Sequence, residues 1–186
     1  MPWSEAEELR GAELLHPPEE VEQALDRMAE GITAELGRMQ PLILGVMIGG
    51  MIPAGRLLSK LNFPLEVDYV HATRYHGGIR GKELIWHAHP ETPMEDRTVL
   101  VVDDILDEGR TLAAIMEACR RQRARAVYSA VLVNKVHDRK YSGLEADFVG
   151  LNVIDRYVFG AGMDYRGLGR NAPGIYAVAR EVEQRG

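Results

Sequence analysis

Val99-Leu100-Val101-Val102-Asp103-Asp104-Ile105-Leu106-Asp107-Glu108-Gly109-Arg110-Thr111 is the stretch on which the reading of this chain turns. Thr98–Val102 is strongly apolar, the pattern of a strand buried on both faces. It runs into two adjacent carboxylates, and a glycine-containing turn then leads into a helix over Thr111–Arg121. The amides of that turn and the Thr111 hydroxyl suit a phosphate cradled at a helix N-terminus. Acids beside a phosphate would ordinarily repel it. They fit if Asp103 and Asp104 accept hydrogen bonds from sugar hydroxyls and help to hold hydrated Mg²⁺. Asp107 then stands between phosphate and base, placed for proton transfer or a hydrogen bond to a ring nitrogen. Taken alone, acids at a strand end also suit a helix-capping turn, a phospho-accepting receiver domain or a metal hydrolase.

On either side of this stretch, strands and helices alternate. Leu42–Met47 is an apolar run closed by Gly49-Gly50, and a helix over about Pro53–Leu61 follows. Leu65–Thr73, Ala126–Val133, Phe148–Val153, Tyr157–Gly160 and Gly174–Ala179 read as strands, with a hairpin strand at Glu83–His87. Near the start, Ser4–Leu15 reads as a short acidic helix. Pro17-Pro18-Glu19-Glu20 opens a longer one, since proline and acids suit a first helical turn. Its apolar positions Val21, Leu25, Met28, Ile32, Leu36 and Met39 step by three or four and mark one buried face, and Pro41 ends it. Apolar strands alternating with helices predict an α/β fold, a parallel twisted sheet flanked by helices. Ligands of such sheets bind beyond the carboxyl ends of the strands.

Composition narrows the class. The 186 residues suit one compact domain with a small appended subdomain, and a net charge of −6 argues against a broad nucleic-acid surface. The basic run Arg120-Arg121-Gln122-Arg123-Ala124-Arg125 reads as a solvated helix end. A single cysteine, Cys119, excludes an internal disulfide and sits in a helix interior. The longest apolar runs fall far short of the roughly 20 residues of a membrane-spanning helix. The first five residues lack the regions of a signal peptide, so the chain reads as cytoplasmic.

The segment Val99–Thr111 resembles the phosphoribosyl-pyrophosphate signature of the type I phosphoribosyltransferases, with its apolar strand, paired acids, Asp-x-Gly turn and threonine. The resemblance extends over nearly the whole chain after Leu42 and is closest to the hypoxanthine-guanine phosphoribosyltransferases. It implies a type I phosphoribosyltransferase fold over residues 1–186, with a small hood from the N-terminal (about 1–40) and C-terminal (about 150–186) segments. It assigns Asp103, Asp104, Asp107, Glu108, Gly109, Arg110 and Thr111 to the ribose and 5′-phosphate. Two substrates follow, a purine base and phosphoribosyl pyrophosphate, with Mg²⁺ as cofactor.

The later motifs choose the base. Val131-Leu132-Val133-Asn134-Lys135 delivers a lysine at a strand end, and in the family this lysine donates to the purine O6. A lysine has donors only, so an adenine amino group there would face another donor. A site built on that bond rejects the wrong base by roughly 10⁴-fold or more. In Asp155-Arg156-Tyr157-Val158-Phe159-Gly160, Tyr157 matches the ring that stacks on the purine and Val158 the backbone contact. Asp164 resembles the carboxylate of a second Mg²⁺, and Arg170 the arginine on the pyrophosphate. Val46-Met47-Ile48-Gly49-Gly50 resembles the pyrophosphate loop, with Gly49 and Gly50 letting the backbone approach. Many relatives carry lysine where this chain has Ile48, which leaves backbone amides as the contacts.

A lid is expected over about 74–95, beginning at Arg74 and Tyr75, where relatives often have Ser-Tyr. Its closure would exclude water from an oxocarbenium-like centre. The histidines of this stretch, His76, His87 and His89, lack the acids or cysteines that complete a metal site. Relatives imply a homo-oligomer, a dimer or tetramer. A regulator of the same fold that senses nucleotides and binds RNA or DNA is the alternative, supported only by Arg120–Arg125.

Overall fold

The protein is described from a computed structural model, which covers residues 6, 9–74 and 84–183. In chain order the elements are β1 (Glu13–His16), α1 (Pro18–Leu36), β2 (Leu42–Met47), α2 (Met51–Leu58), β3 (Glu66–Arg74), β4 (Leu84–Ala88), β5 (Thr98–Leu106), α3 (Arg110–Arg121), β6 (Ala126–Lys135), β7 (Phe148–Val153), β8 (Val158–Phe159), β9 (Ile175–Ala177) and α4 (Arg180–Glu183). The main sheet has the order β4-β3-β2-β5-β6-β7. Its strands β3, β2, β5, β6 and β7 are parallel, and β4 is an antiparallel edge. This is the expected α/β architecture.

Two apolar layers cover the sheet. On one face, Val21, Leu25, Met28, Ile32 and Leu36 of α1 pack with Leu100, Val102, Leu132 and Val133. Burying each such side chain contributes about 1.5–3 kcal/mol. The 3.6-residue period thus reads correctly up to Leu36. Met39 lies past the helix end and is exposed. On the other face, Val99 and Val101 pack with Leu112, Ile115, Met116 and Cys119 of α3. Burial pushes the Cys119 thiol up to about 11, so the cysteine is a core residue.

A second sheet, β1-β9-β8, is antiparallel and joins the two ends of the chain. Of residues 1–40, assigned to a hood, β1 joins this sheet while α1 packs on the main one. Glu13–His16 is therefore strand, where a helix over Ser4–Leu15 was expected; of the rest of that stretch, residues 4, 5, 7 and 8 lie outside the described residues, and the Ala12 N–H closes a turn onto the Leu9 carbonyl. Pairing with β9 overrides the local acidic pattern. Of the lid expected over about 74–95, residues 75–83, with Tyr75 and His76, also lie outside the described residues, whereas Arg74 ends β3 and Leu84–Ala88 is the sheet strand β4 paired with β3. His87 Nε2 is 2.8 Å from the Thr73 hydroxyl, and the His89 ring stacks on Trp86. Among the described residues no helix is long and apolar enough to cross a membrane.

The strand β5 is longer than its apolar run. It stays paired with β6 through Leu106, opposite Asn134, so Asp103 and Asp104 are strand residues and not the first of a loop. The turn is short because Gly109 has φ 82° and caps α3 directly. A Cβ at Gly109 would lie 2.7 Å from Leu106 Cδ1 and 2.8 Å from Leu144 Cδ2. Gly109→Ala should therefore destabilise the protein by about 1–3 kcal/mol, from left-handed backbone and crowding together. The check is a denaturant midpoint, and an unchanged midpoint would show that the turn relaxes freely.

Candidate active site

The carboxyl ends of β2, β5 and β6 converge, because these three strands are neighbours and parallel. Asp103, Asp104 and Asp107 come from β5 and the turn after it, and Lys135 from the last position of β6. The loop 48–50 follows β2. Residues 162–170 reach in from the segment between β8 and β9, which brings Gly162 against Gly49 and Asp104. The topology brings together residues that are more than a hundred positions apart.

Asp103 and Asp104 form a crowded pair. Asp103 Oδ1 accepts the Asp104 N–H at 2.9 Å, and Asp104 Oδ1 accepts the Ile105 N–H at 2.7 Å. Burial pushes both carboxyls above the ordinary range, and Asp103 rises further because the Asp104 carboxylate faces it. The nearest cation, Arg170, stands 3.9 Å from Asp104 Oδ2 and is bound elsewhere. Its guanidinium pairs with Asp164 Oδ1 and donates to the Gly162 carbonyl at 2.7 Å. The Gly167 N–H occupies the other Asp164 oxygen at 2.7 Å.

Gly49 and Gly50 are explained by close packing as well as by loop flexibility. A Cβ at Gly49 would fall 1.8 Å from Asp104 Oδ2, and one at Gly50 would fall 2.6 Å from the Val46 carbonyl. The Gly50 and Met51 amides are donated to the Val46 and Ile48 carbonyls. Gly50 thus shapes the turn without offering its amide, which narrows the expected pyrophosphate contacts. The Ile48 side chain is half exposed.

Asp107 sits between two donors. Lys135 Nζ is 2.8 Å from Oδ2, and His137 Nε2 is 2.8 Å from Oδ1. Burial alone would raise this carboxyl, but the hydrogen bonds from Lys135 and His137 outweigh it and hold the group below the usual range. Lys135 itself is buried, 8% exposed, so its ammonium is confined to this site. Sequence reasoning missed His137. The signal was there, because at strand spacing residues 135 and 137 point to the same side.

The turn offers further donors. Ala113 N–H bonds the Gly109 carbonyl, so the amides of Arg110, Thr111 and Leu112 start α3 with no intrahelical acceptor. The Arg110 guanidinium bonds Glu108 at 3.0 Å and lies over the Tyr141 ring. A cleft of about 850 Å³ opens beside them along α3, lined by Glu108, Arg110, Arg120 and Tyr141. It contains neither the acid pair nor Lys135, so the titratable groups and not cavity size locate the chemistry.

Tyr157 is 46% exposed and meets Tyr165 edge-on, with ring centroids 4.9 Å apart. The Val178 N–H donates to the Tyr157 carbonyl at 2.9 Å, so the next pair, Val158 and Ala177, is of the non-hydrogen-bonded kind. The Val158 amide and carbonyl therefore point away from β9, off the edge of the small sheet. Its side chain is core, 4% exposed.

The chain belongs to the phosphoribosyl transferase domain family, whose pattern matches residues 12–166. Within that class its likenesses share one substrate name. It is 30% identical over 158 residues to the hypoxanthine-guanine phosphoribosyltransferase of Bacillus subtilis, covering 84% of this chain and 87% of that one. The Streptococcus pyogenes hypoxanthine-guanine phosphoribosyltransferase is 27% identical over 170 residues, 91% of this chain and 94% of that one. A solved hypoxanthine phosphoribosyltransferase from Staphylococcus aureus superposes with a TM-score of 0.85 at 27% identity, covering 91% of this chain and 92% of that one.

Proposed function

We propose that this protein is a purine-salvage transferase that joins hypoxanthine or guanine to phosphoribosyl pyrophosphate, giving IMP or GMP and pyrophosphate. The observation that carries this reading is the buried Lys135 ammonium held against Asp107 at the mouth of the β5–α3 turn. A donor and an acceptor side by side match the O6 and N7 edge of a 6-oxopurine. Tyr157 stacks on the base, which contributes about 1–3 kcal/mol, and the outward backbone of Val158 meets its edge.

The start of α3 binds the 5′-phosphate through the amides of Arg110 and Thr111, with Glu108 and Gly109 shaping the turn. Asp103 and Asp104 take the ribose hydroxyls. The two carboxylates, crowded together by burial and so raised in pKa, are the oxygen donor set that suits a hard cation keeping most of its waters, whose charge would favour their ionised form. Asp103 and Asp104 would hold one Mg²⁺ and Asp164 a second, and the ions would supply charge to offset that of the leaving diphosphate. The Ile48 and Gly49 amides and Arg170 hold that diphosphate, Arg170 turning from Asp164 and Gly162 towards it. Displacement occurs at ribose C1 without a covalent nucleophile, and Asp107 manages the proton at N7. We place the enzyme in the cytoplasm as a homodimer or homotetramer, with Tyr75 in a lid; Arg74, expected there too, is the last residue of β3 and pairs with Leu84.

The regulator alternative loses its support. Arg120 and Arg121 lie 4.0 Å from Glu117, Arg123 pairs with Glu95, and Arg125 bonds Thr98. The run is the end of α3 and the turn after it, where two acids face three of its four arginines and Arg125 is taken up by Thr98.

A spectrophotometric assay with phosphoribosyl pyrophosphate, Mg²⁺ and each of hypoxanthine, guanine, xanthine and adenine tests the proposal. Oxopurines should turn over and adenine should not. A hydrogen bond from a charged donor is worth about 1.5–3 kcal/mol, so Lys135→Ala should cut kcat/KM for hypoxanthine by roughly 10- to 150-fold. No turnover of any oxopurine by folded protein would sink the reading.

A further inference from the structure

His137 follows β6 by two residues, and none of the roles above uses it. Its imidazole is 3% exposed, and Nε2 lies 2.8 Å from Asp107 Oδ1. The other ring nitrogen, Nδ1, accepts the Arg139 backbone N–H at 3.0 Å. A nitrogen that accepts from an amide carries no proton, so the neutral ring is protonated at Nε2 and donates to Asp107. The surrounding link is itself tied down. The Arg139 guanidinium makes a bidentate pair with Asp155 at 2.6 and 2.9 Å. Lys140 Nζ donates to the carbonyls of Leu106 and Asp107 at 2.6 and 2.8 Å. The Tyr141 N–H donates to the Glu108 carbonyl at 2.7 Å. Residues 137–141 thus grip the Asp107 turn by its backbone and its carboxylate together.

The two carboxylate oxygens have different partners, Oδ1 with His137 and Oδ2 with Lys135. Resting on the function proposed above, Lys135 shares its three donors between Oδ2 and the purine O6 once the base is bound. His137 has no such second task. We infer that His137 is a positioning residue that pins Asp107 Oδ1, so that Oδ2 is the oxygen presented to the base as Lys135 turns to O6. An unpinned carboxylate rotates easily, because its terminal torsion has a broad minimum. The tautomer is set by the fold, since the Arg139 amide supplies the proton that Nδ1 would otherwise carry.

Two substitutions and one spectrum test this. His137→Leu keeps bulk and removes the donor, whereas His137→Gln places an amide N–H near the position of Nε2. We expect His137→Leu to lower kcat with hypoxanthine by roughly 10- to 100-fold with little change in KM for phosphoribosyl pyrophosphate, and His137→Gln to recover most of it. The acid limb of kcat/KM should move to higher pH in the leucine variant and return with glutamine. Lys135, Arg139, Lys140 and Tyr157 are the other titratable groups coupled to Asp107 and are unchanged in both. Long-range ¹H–¹⁵N spectra of the wild-type protein at neutral pH should show the ring proton on Nε2, and its resonance should move in Asp107→Asn. That spectrum needs no turnover, so an inactive wild type would remove the function while leaving the contact tested. A ring protonated at Nδ1 overturns the inference, as does a folded leucine variant with wild-type kcat. Equal losses in leucine and glutamine variants also overturn it, because they mark packing and not the hydrogen bond.

Discussion

Asp107→Asn should lower kcat with hypoxanthine by about 10²–10⁴-fold, the usual contribution of a positioned general base. The amide matches the carboxylate in shape, so the loss would report chemistry. It has a second cause as well. Lys135 and His137 both donate to Asp107, one to each oxygen, and an amide has a single acceptor oxygen for the two. One donor is left facing an NH₂ group. Binding of phosphoribosyl pyrophosphate, measured by calorimetry, should change little, because the proposed seat of its phosphate is the set of α3 amides. The pH dependence carries a sign. Since the Asp107 carboxyl is held below its ordinary 3.8, the base stays ionised as pH falls through the usual aspartate range. The acid limb of kcat/KM that belongs to Asp107 should therefore lie below that value. A variant within a few-fold of wild-type kcat would place the proton elsewhere.

Gly49→Ala should reduce kcat/KM by at least about 10²-fold, since misplacing catalytic groups by roughly 1 Å costs that much. The added Cβ would stand 1.8 Å from Asp104 Oδ2 and 2.4 Å from its Cγ. The carboxylate has little room to retreat. Asp104 is bonded to the Ile105 amide, and the Gly49 carbonyl lies 2.4 Å from where a Cβ on Gly162 would be. Either the loop or the acid pair must shift, and both belong to the proposed diphosphate and Mg²⁺ machinery. The Mg²⁺ concentration for half-maximal rate should rise with it. Gly55→Ala is the control, because a Cβ there meets nothing within 4 Å. It should keep full activity and gain stability by roughly 0.5–1 kcal/mol, the helix preference of alanine over glycine. If Gly49→Ala matches this control, the close approach has no functional weight.

Much of this protein follows from local pattern. The alternation of apolar strands and helices was legible because burial imposes a period on the sequence, and Leu42–Met47 and Phe148–Val153 coincide with β2 and β7. The strand-to-turn motif at 99–111 was legible for the same reason, since its amides, acids and glycine are contiguous. What failed is instructive. Glu13–Leu15 reads as the tail of the acidic stretch from Ser4, yet β9, some 160 residues away, pairs with Glu13–His16, and a local pattern holds no record of its partner.

The site divides along the same line. Sequence alone nominated most of the residues proposed for the chemistry, because a strand's last positions in a parallel sheet are its working positions. Only the tertiary structure decided how they are arranged. It set Asp104 against Gly49 and Gly162, gave Arg170 to Asp164, and shared Asp107 between Lys135 and His137. Apart from the Arg170–Asp164 pair within one loop, these are contacts between segments that chain order leaves far apart. They depend on distances of a few tenths of an ångström, which the packing of two sheets fixes and no spacing of residues along the chain encodes.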